Sequence, residues 1–379
     1  MNEFKLDHPP DTGAPTNSAF YLLGGASLLT WIACVFLQAF RTQSWAANHH
    51  LEEFAATFSF LALVVNYPHF MISYRFAYGR GWGIVRRHPW ALLGVPVALT
   101  VCFALTYMEM KASSSHWTLI QWINGAFLRV GWMPPIQSTE NAGVSYLALL
   151  VQFMYLTVGW HYAKQIFGCV LAACRKAGCE LRREQRRALH WSVHGVWIAN
   201  YLGTNSSSIP GGPGPTFFGL QLPSVYFPGE LRLASIALCV GLSTHFLVQV
   251  LPRIRSSWAL LVPWIAFHVW WLTPFRQLEF YLYAVPFFHS LQYLYFAWGR
   301  EAKFGSKRPW IVALACVVGG FVFFEWLPST LDSKLRTDLR LQIPFVFIAA
   351  QVFLNVHHYF IDSVVWRSDD PHFAPEARA

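Results

Sequence analysis

The sequence predicts an all-α fold: a polytopic integral membrane helix bundle of about ten transmembrane helices, with both termini cytoplasmic. Three observations carry that prediction. The composition is too apolar for a soluble domain, apolar runs of spanning length recur along the chain, and Lys and Arg are unevenly divided between alternate connections. Of 379 residues, 55% are hydrophobic and only 12% charged, with a mean hydropathy of +0.34, whereas soluble domains carry about 25% charged residues. No polar stretch is long enough to form a separate soluble domain, so residues 1–379 read as a single transmembrane domain.

Residues 1–17 hold Asp, Glu, Pro and a single Lys. A cleavable signal peptide begins basic and then turns apolar, so this stretch is expected to be a cytoplasmic tail and the first span to act as the insertion signal. Apolar runs follow at about 18–40, 51–73, 90–109, 142–173, 189–203, 231–251, 258–273, 277–298, 309–328 and 341–366, each near the roughly 20 residues needed to cross a bilayer. Between them, residues 204–230 form an external loop, and its Gly/Pro/Ser-rich part, Ser206 to Pro215, is expected to be flexible and to form neither helix nor strand. The long connection from Lys111 to Asn141 includes an aromatic stretch suited to the membrane interface, and residues 367–379 close the chain as a second cytoplasmic tail.

The connections carrying Arg75, Arg80, Arg86, Arg87, Arg175, Lys176, Arg182, Arg183, Arg186, Arg187, Arg253, Arg255, Arg300, Lys303, Lys307 and Arg308 hold twice as many cations as those between them. By the positive-inside rule they face the cytoplasm. The net charge of +9 is thereby accounted for by topology, and no nucleic-acid partner is expected. Seven cysteines, at 34, 102, 169, 174, 179, 239 and 316, are scattered and mostly within apolar runs, which gives neither a disulfide framework nor a zinc signature.

The same topology sorts the 15 histidines. His69, His161, His190, His194, His245, His289, His357 and His358 all fall toward the cytoplasmic ends of their runs, within a slab roughly 15 Å thick at 1.5 Å rise per residue. His8 and His372 lie in the tails, His49, His50 and His116 outside, His88 at the membrane surface, and His268 in the outer part of its run. One or two intramembrane imidazoles find hydrogen-bond partners on neighbouring helices, but eight at one depth exceed what packing needs. Neutral imidazole is also the commonest metal ligand, so the eight are the expected metal ligands. His190 and His194, four apart, share a helix face. His357 and His358 diverge by about 100° and suit two different ions, or one ligand and one supporting group.

Supporting groups accompany them. Asp362 stands one turn beyond His358, placed to accept its second ring N–H, with an ion pair to Arg367 as the competing use. Asn66 precedes His69 by three, Gln165 follows His161 by four, and Gln292 follows His289 by three; each amide serves equally well as a bond between helices. Pro68 frees a backbone carbonyl and is expected to kink its helix beside His69, while Tyr67, Tyr162 and Tyr359 flank three of the histidines and read as packing. Glu52, Glu53, Glu109, Glu279 and Glu325 fall toward the external ends, so the site is expected to be dominated by imidazole and unlike the carboxylate-bridged sites of soluble bundles.

Two short motifs carry a resemblance. His190 and His194 match an HxxxH box, and His357 and His358 match the pair that ends an HxxHH box, with Leu354 where that box has its first histidine. In this the chain resembles the membrane di-iron oxygenases, the group of fatty-acid desaturases, hydroxylases and alkane monooxygenases. The resemblance implies an iron site, two ions in that group, and O2-dependent hydroxylation, desaturation or cleavage of a hydrophobic small-molecule substrate entering from the membrane lipids. It also implies a cytoplasmic electron donor docking on basic loops, and the expected location is a bacterial inner membrane. The alternative is an intramembrane zinc hydrolase acting on a lipid amide or ester, similar to the alkaline-ceramidase and adiponectin-receptor-like group, which uses three histidines with Asp and Ser on seven helices. A haem protein with two axial histidines and a transition-metal transporter are the further alternatives.

Overall fold

A computed structural model describes residues 20–40, 45–79, 81–111, 125, 129, 142–207, 214–222, 225–226, 228–254, 258–272, 279–303, 308–339 and 343–366. The two tails, His8, His116, His372, Arg367 and most of the connection between Lys111 and Asn141 lie outside the described residues. In chain order the helices are α1 (Tyr21–Phe40), α2 (Trp45–Tyr78), α3 (Trp82–Arg87), α4 (Trp90–Lys111), α5 (Ala142–Lys176), α6 (Arg183–Asn205), α7 (Gly229–Ile254), α8 (Trp258–Leu272) and α9 (Glu279–Lys303). Next, α10 runs from Pro309–Phe321 through a π-turn, Val322–Trp326, into Leu327–Leu339, and α11 is Phe345–Val365.

Among the described residues, seven helices are long and apolar enough to cross a membrane: α1, α2, α4, α5, α7, α10 and α11. The remaining apolar runs of the sequence also fold as helices. However, α8 is short, α6 opens on Arg183, Glu184, Gln185, Arg186 and Arg187, and α9 carries Gln292, Arg300 and Glu301. The all-α membrane bundle is thus present, with seven helices meeting the length and apolarity of a span.

The chain divides into two compact units. The first comprises Met1–Ala62, Trp160–Asn200 and Arg232–Arg300. Its helices are tied by side chains that bond to backbone or to small hydroxyls: Trp270 donates to Ser27 Oγ at 2.8 Å, Trp264 to Ser192 Oγ at 2.9 Å, Asn200 to the Trp271 carbonyl at 2.5 Å, and Gln292 to the Leu23 carbonyl at 2.7 Å. With apolar surface equally content in lipid, such bonds and close packing are what hold membrane helices together. Gly24 supplies the close packing at α1, where a Cβ would stand 3.0 Å from Val262 Cγ1 and 3.1 Å from its carbonyl oxygen on α8.

The second unit comprises Leu63–Gly159, Tyr201–Leu231 and Glu301–Ala379. Its core draws Val95, Leu99 and Phe103 from α4, Leu147, Val151 and Met154 from α5, and Ile348, Val352 and Val356 from α11. The 3- and 4-residue spacings turn one face of each helix inward. Leu220 and Leu222 complete this core from the 204–230 connection. That connection departs from the expected flexible loop: β1 (Ser206–Ser207) pairs in parallel with β4 (Val225–Tyr226), and β2 (Thr216–Phe217) pairs antiparallel with β3 (Leu220–Gln221). The two-residue turn Phe218–Gly219 has φ of 47° and 80°, the left-handed pair that suits a tight hairpin and that glycine adopts without strain. Burial of Leu220 and Leu222 supplies the driving force that a Gly/Pro/Ser composition hides.

The start of α11 is capped from a distance. Pro344 precedes it without a capping side chain, and instead Asp332 of α10 accepts from the backbone N–H of Val346 at 2.8 Å and of Phe347 at 2.7 Å. An anionic group on free first-turn donors is favourable through both hydrogen bonding and the helix dipole. Replacing Asp332 with Ala is expected to lower stability by about 1 to 2 kcal/mol. Thermal unfolding of the detergent-solubilised protein checks this, and an unchanged midpoint would leave the cap without weight.

Candidate metal centre

In the second unit, α2 and α11 bring His69, His358 and Asp362 together, all buried, with one potential ligand atom of each within 4.8 Å of the others. The His69 and His358 rings meet edge-on, centroids 4.4 Å apart. His358 lies on the inner face of α11, and Asp362, one turn on, shares that face, so its Oδ2 stands 3.4 Å from His358 Nε2. On α2 the same arithmetic places Ser73 one turn beyond His69, and its Oγ lies 2.7 Å from His358 Nδ1.

Hydrogen-bond directions fix where the ring protons sit. Ser73 has one hydroxyl hydrogen, which it gives to the Phe70 carbonyl at 2.7 Å, so the contact with His358 requires Nδ1–H to donate to Ser73 Oγ. His358 Nε2 then faces the Asp362 carboxylate. The His69 ring bonds to the backbone of Asn66; a carbonyl only accepts, so one ring nitrogen carries the proton and the other the lone pair. Two imidazole lone pairs and a carboxylate oxygen therefore converge at a buried point. Such a set, a carboxylate beside two imidazoles, is suited to binding positive charge. A single proton satisfies two acceptors, whereas a metal ion satisfies all three, so the donor set fits a metal.

Around this group the surface is apolar. Phe70 packs on His358, centroids 4.6 Å apart, and on Phe324 of the α10 π-turn at 4.9 Å. Tyr67 stacks on Phe324 at 4.5 Å, and its hydroxyl donates to the Glu325 carboxylate. Tyr67 is thus packing, as its position suggests, with its hydroxyl serving Glu325. At the end of α2, Arg75 Nη2 meets the buried Glu301 at 2.5 Å. Helix α2 continues unbroken through Pro68.

The other expected ligands divide between further arrangements. His357, next to His358, has both ring nitrogens engaged by phenols: Nδ1 with Tyr74 Oη at 3.0 Å and Nε2 with Tyr78 Oη at 3.0 Å. In the first unit, His161 and His289 are buried with their Nε2 atoms 3.1 Å apart, and Tyr162 stacks on His289 at 3.8 Å. Gln165 donates to the His289 carbonyl at 2.8 Å and to Gln292 Oε1 at 3.2 Å. The two amides therefore brace backbone and each other. Asn66 likewise serves His69 through its backbone. His190 and His194 do share a face, with rings stacked at 4.0 Å and His194 Nδ1 bonded to the His190 carbonyl at 2.7 Å, but His190 is exposed. His245 is exposed too, paired with Gln249 at 2.9 Å.

Ser73, Tyr74 and Tyr78 are the neighbours of this centre that a reading of histidines overlooks. Their signal was helical spacing: Ser73 is four residues after His69, and Tyr78 is four after Tyr74. Compared with known protein families, curated proteins and solved structures, the chain matches none.

Proposed function

We propose that the protein is a membrane metalloenzyme in which His69, His358 and Asp362 hold an iron ion, and that it carries out an O2-dependent oxidation of a lipid-soluble substrate. The observation that carries this reading is the convergence of two imidazole lone pairs and one carboxylate at a single buried point. Two histidines and a carboxylate form the donor set of non-haem ferrous oxygenases, which leaves coordination positions open. A bound ferrous ion would supply the redox chemistry with O2 that side chains lack. The chain's own residues do the rest: Ser73 and Asn66 set the ring tautomers, Phe70 and Phe324 exclude water, and the apolar surroundings admit a hydrophobic substrate. The three ligands accommodate one ion, fewer than the two implied by the di-iron resemblance.

His69 and His358 stand nine and seven residues before the ends of their helices at Tyr78 and Val365, a depth on the order of 10 to 14 Å. The Tyr78 end adjoins the connection that carries Arg80, Arg86 and Arg87, and we therefore set the centre on the cytoplasmic side, in a ten-span topology in a bacterial inner membrane. Arg86 and Arg87 are exposed there and offer an acidic electron donor a docking charge.

A zinc hydrolase is the second reading, favoured by the seven apolar spans and by a serine beside a histidine and an aspartate. It is weakened by the direction of Ser73, whose Oγ faces His358 Nδ1, the nitrogen away from Asp362. The experiment compares lipid extracts of cells making the wild-type chain or His358→Ala, grown with and without air, by mass spectrometry. The oxygenase reading expects a species gaining one oxygen, or losing two hydrogens, only with wild-type protein and air. Lipid hydrolysis that persists without air would replace it with the hydrolase.

A further inference from the structure

We propose that His357 is a positioning residue and not a metal ligand, and that Tyr74 and Tyr78 clamp its ring so that α11 presents His358 to the metal. The proposal rests on the metal reading above. Each ring nitrogen of His357 lies 3.0 Å from a phenol oxygen, Tyr74 at Nδ1 and Tyr78 at Nε2. Tyr78 gives its only hydroxyl hydrogen to the Leu92 carbonyl at 2.6 Å, so at this oxygen it accepts from His357 Nε2–H. In the neutral ring, Nδ1 is then the acceptor for the Tyr74 hydroxyl. The protons run in one direction, Tyr74 to His357 to Tyr78 to Leu92, and the chain ends on a backbone carbonyl in the π-turn Trp90–Gly94. Neither tyrosine can turn without breaking it.

The clamp acts on the metal ligand through geometry. His357 and His358 point about 100° apart on α11, and Ser73 and Tyr74 point about 100° apart on α2. The two helices therefore meet through a double register, Tyr74 on His357 and Ser73 on His358. Rotating α11 to bring His357 inward would withdraw His358 from Ser73 and Asp362. With both nitrogens already in hydrogen bonds and the ring edge-on to Tyr74 at 5.2 Å and Phe353 at 5.8 Å, His357 has no lone pair to offer an ion beside His358.

Glutamine separates the two roles, because its amide keeps one acceptor and one donor but is a poor metal ligand. In the detergent-solubilised full chain, Co2+ affinity and the visible Co2+ absorption spectrum are measured for wild type, H357Q, H357L and the double variant Tyr74→Phe/Tyr78→Phe. The expected result is affinity within about threefold of wild type for H357Q, and a loss of about 10- to 100-fold with an altered spectrum for H357L and the tyrosine double variant, as for other partners that orient metal ligands. Equal loss in H357Q and H357L would make His357 a ligand and overturn the clamp, as would wild-type affinity in H357L or in the double variant. The phenylalanines preserve packing, so the double variant reports even where H357L does not fold. Failure of wild-type protein to bind Co2+ overturns the metal reading itself, a result distinct from any ranking among the variants.

Discussion

His358→Ala is expected to abolish metal retention and the O2-dependent conversion together, with metal affinity falling by more than the roughly 100-fold that marks the loss of a supporting partner. The reason is the arithmetic of the site: three donors converge, and His358 is the one held from both sides, by Ser73 at 2.7 Å and Asp362 at 3.4 Å. Removing it leaves His69 and Asp362 and takes the imidazole from beside the buried Asp362 carboxylate, which is costly in itself. Ser73→Ala separates orientation from ligation. It leaves all three donors and removes only the bond that keeps the His358 Nδ1 proton in place, so it is expected to weaken metal by about 10- to 100-fold. Equilibrium dialysis against Fe2+, with elution volume as the check on folding, measures both. His49→Ala, at an exposed contact with Glu53, is the control and is expected to leave metal unchanged. Equal losses at His358 and His49 would mean general destabilisation.

Gly320→Ala is expected to be the most damaging change outside the centre, lowering stability by about 3 kcal/mol, the upper part of the range for overpacking. A Cβ at Gly320 would overlap the Tyr67 Cβ and come within 3.1 Å of its backbone carbon, and backbone yields far less readily than a side-chain tip. Tyr67 adjoins Pro68 and His69, so pushing α10 off α2 also displaces a ligand. Its neighbour is the control: a Cβ at Gly319 meets nothing nearer than Met71 Sδ at 3.6 Å. Gly319→Ala is therefore expected to be neutral or mildly stabilising through helix propensity, worth up to about 1 kcal/mol. Unfolding midpoints in one detergent compare them, and similar midpoints would show that α2 and α10 are not in the close contact described.

Seven of the helices were legible because their apolar runs exceed what a soluble helix requires, and that signal is local. So were His69, His358 and Asp362 as individuals, since ionisable groups within such runs stand out. What the sequence could not say was which of eight histidines meet. Ser73 and His358 are 285 residues apart in sequence and Tyr74 and His357 are 283 apart, and no periodicity reports a pairing between helices. His357 and His358 look alike in sequence, yet a 100° turn sends one to two phenols and the other to Ser73 and Asp362. The amides at 66, 165 and 292 stand out in the sequence as polar groups in apolar runs, but the bonds from Gln165 to the His289 carbonyl and to Gln292 depend on tertiary packing. Leu220 and Leu222 were missed because two leucines in a Gly/Pro-rich stretch have no pattern until they meet α4, α5 and α11.

Metal analysis joined to absorption spectroscopy on the purified wild-type chain decides whether His69, His358 and Asp362 hold iron. The expected result is about one iron per chain, no Soret band, and an X-ray absorption edge fitted by two imidazole nitrogens with oxygen ligands. Protein that holds no metal yet retains its conversion of lipid, or that holds haem or zinc in place of iron, would contradict it.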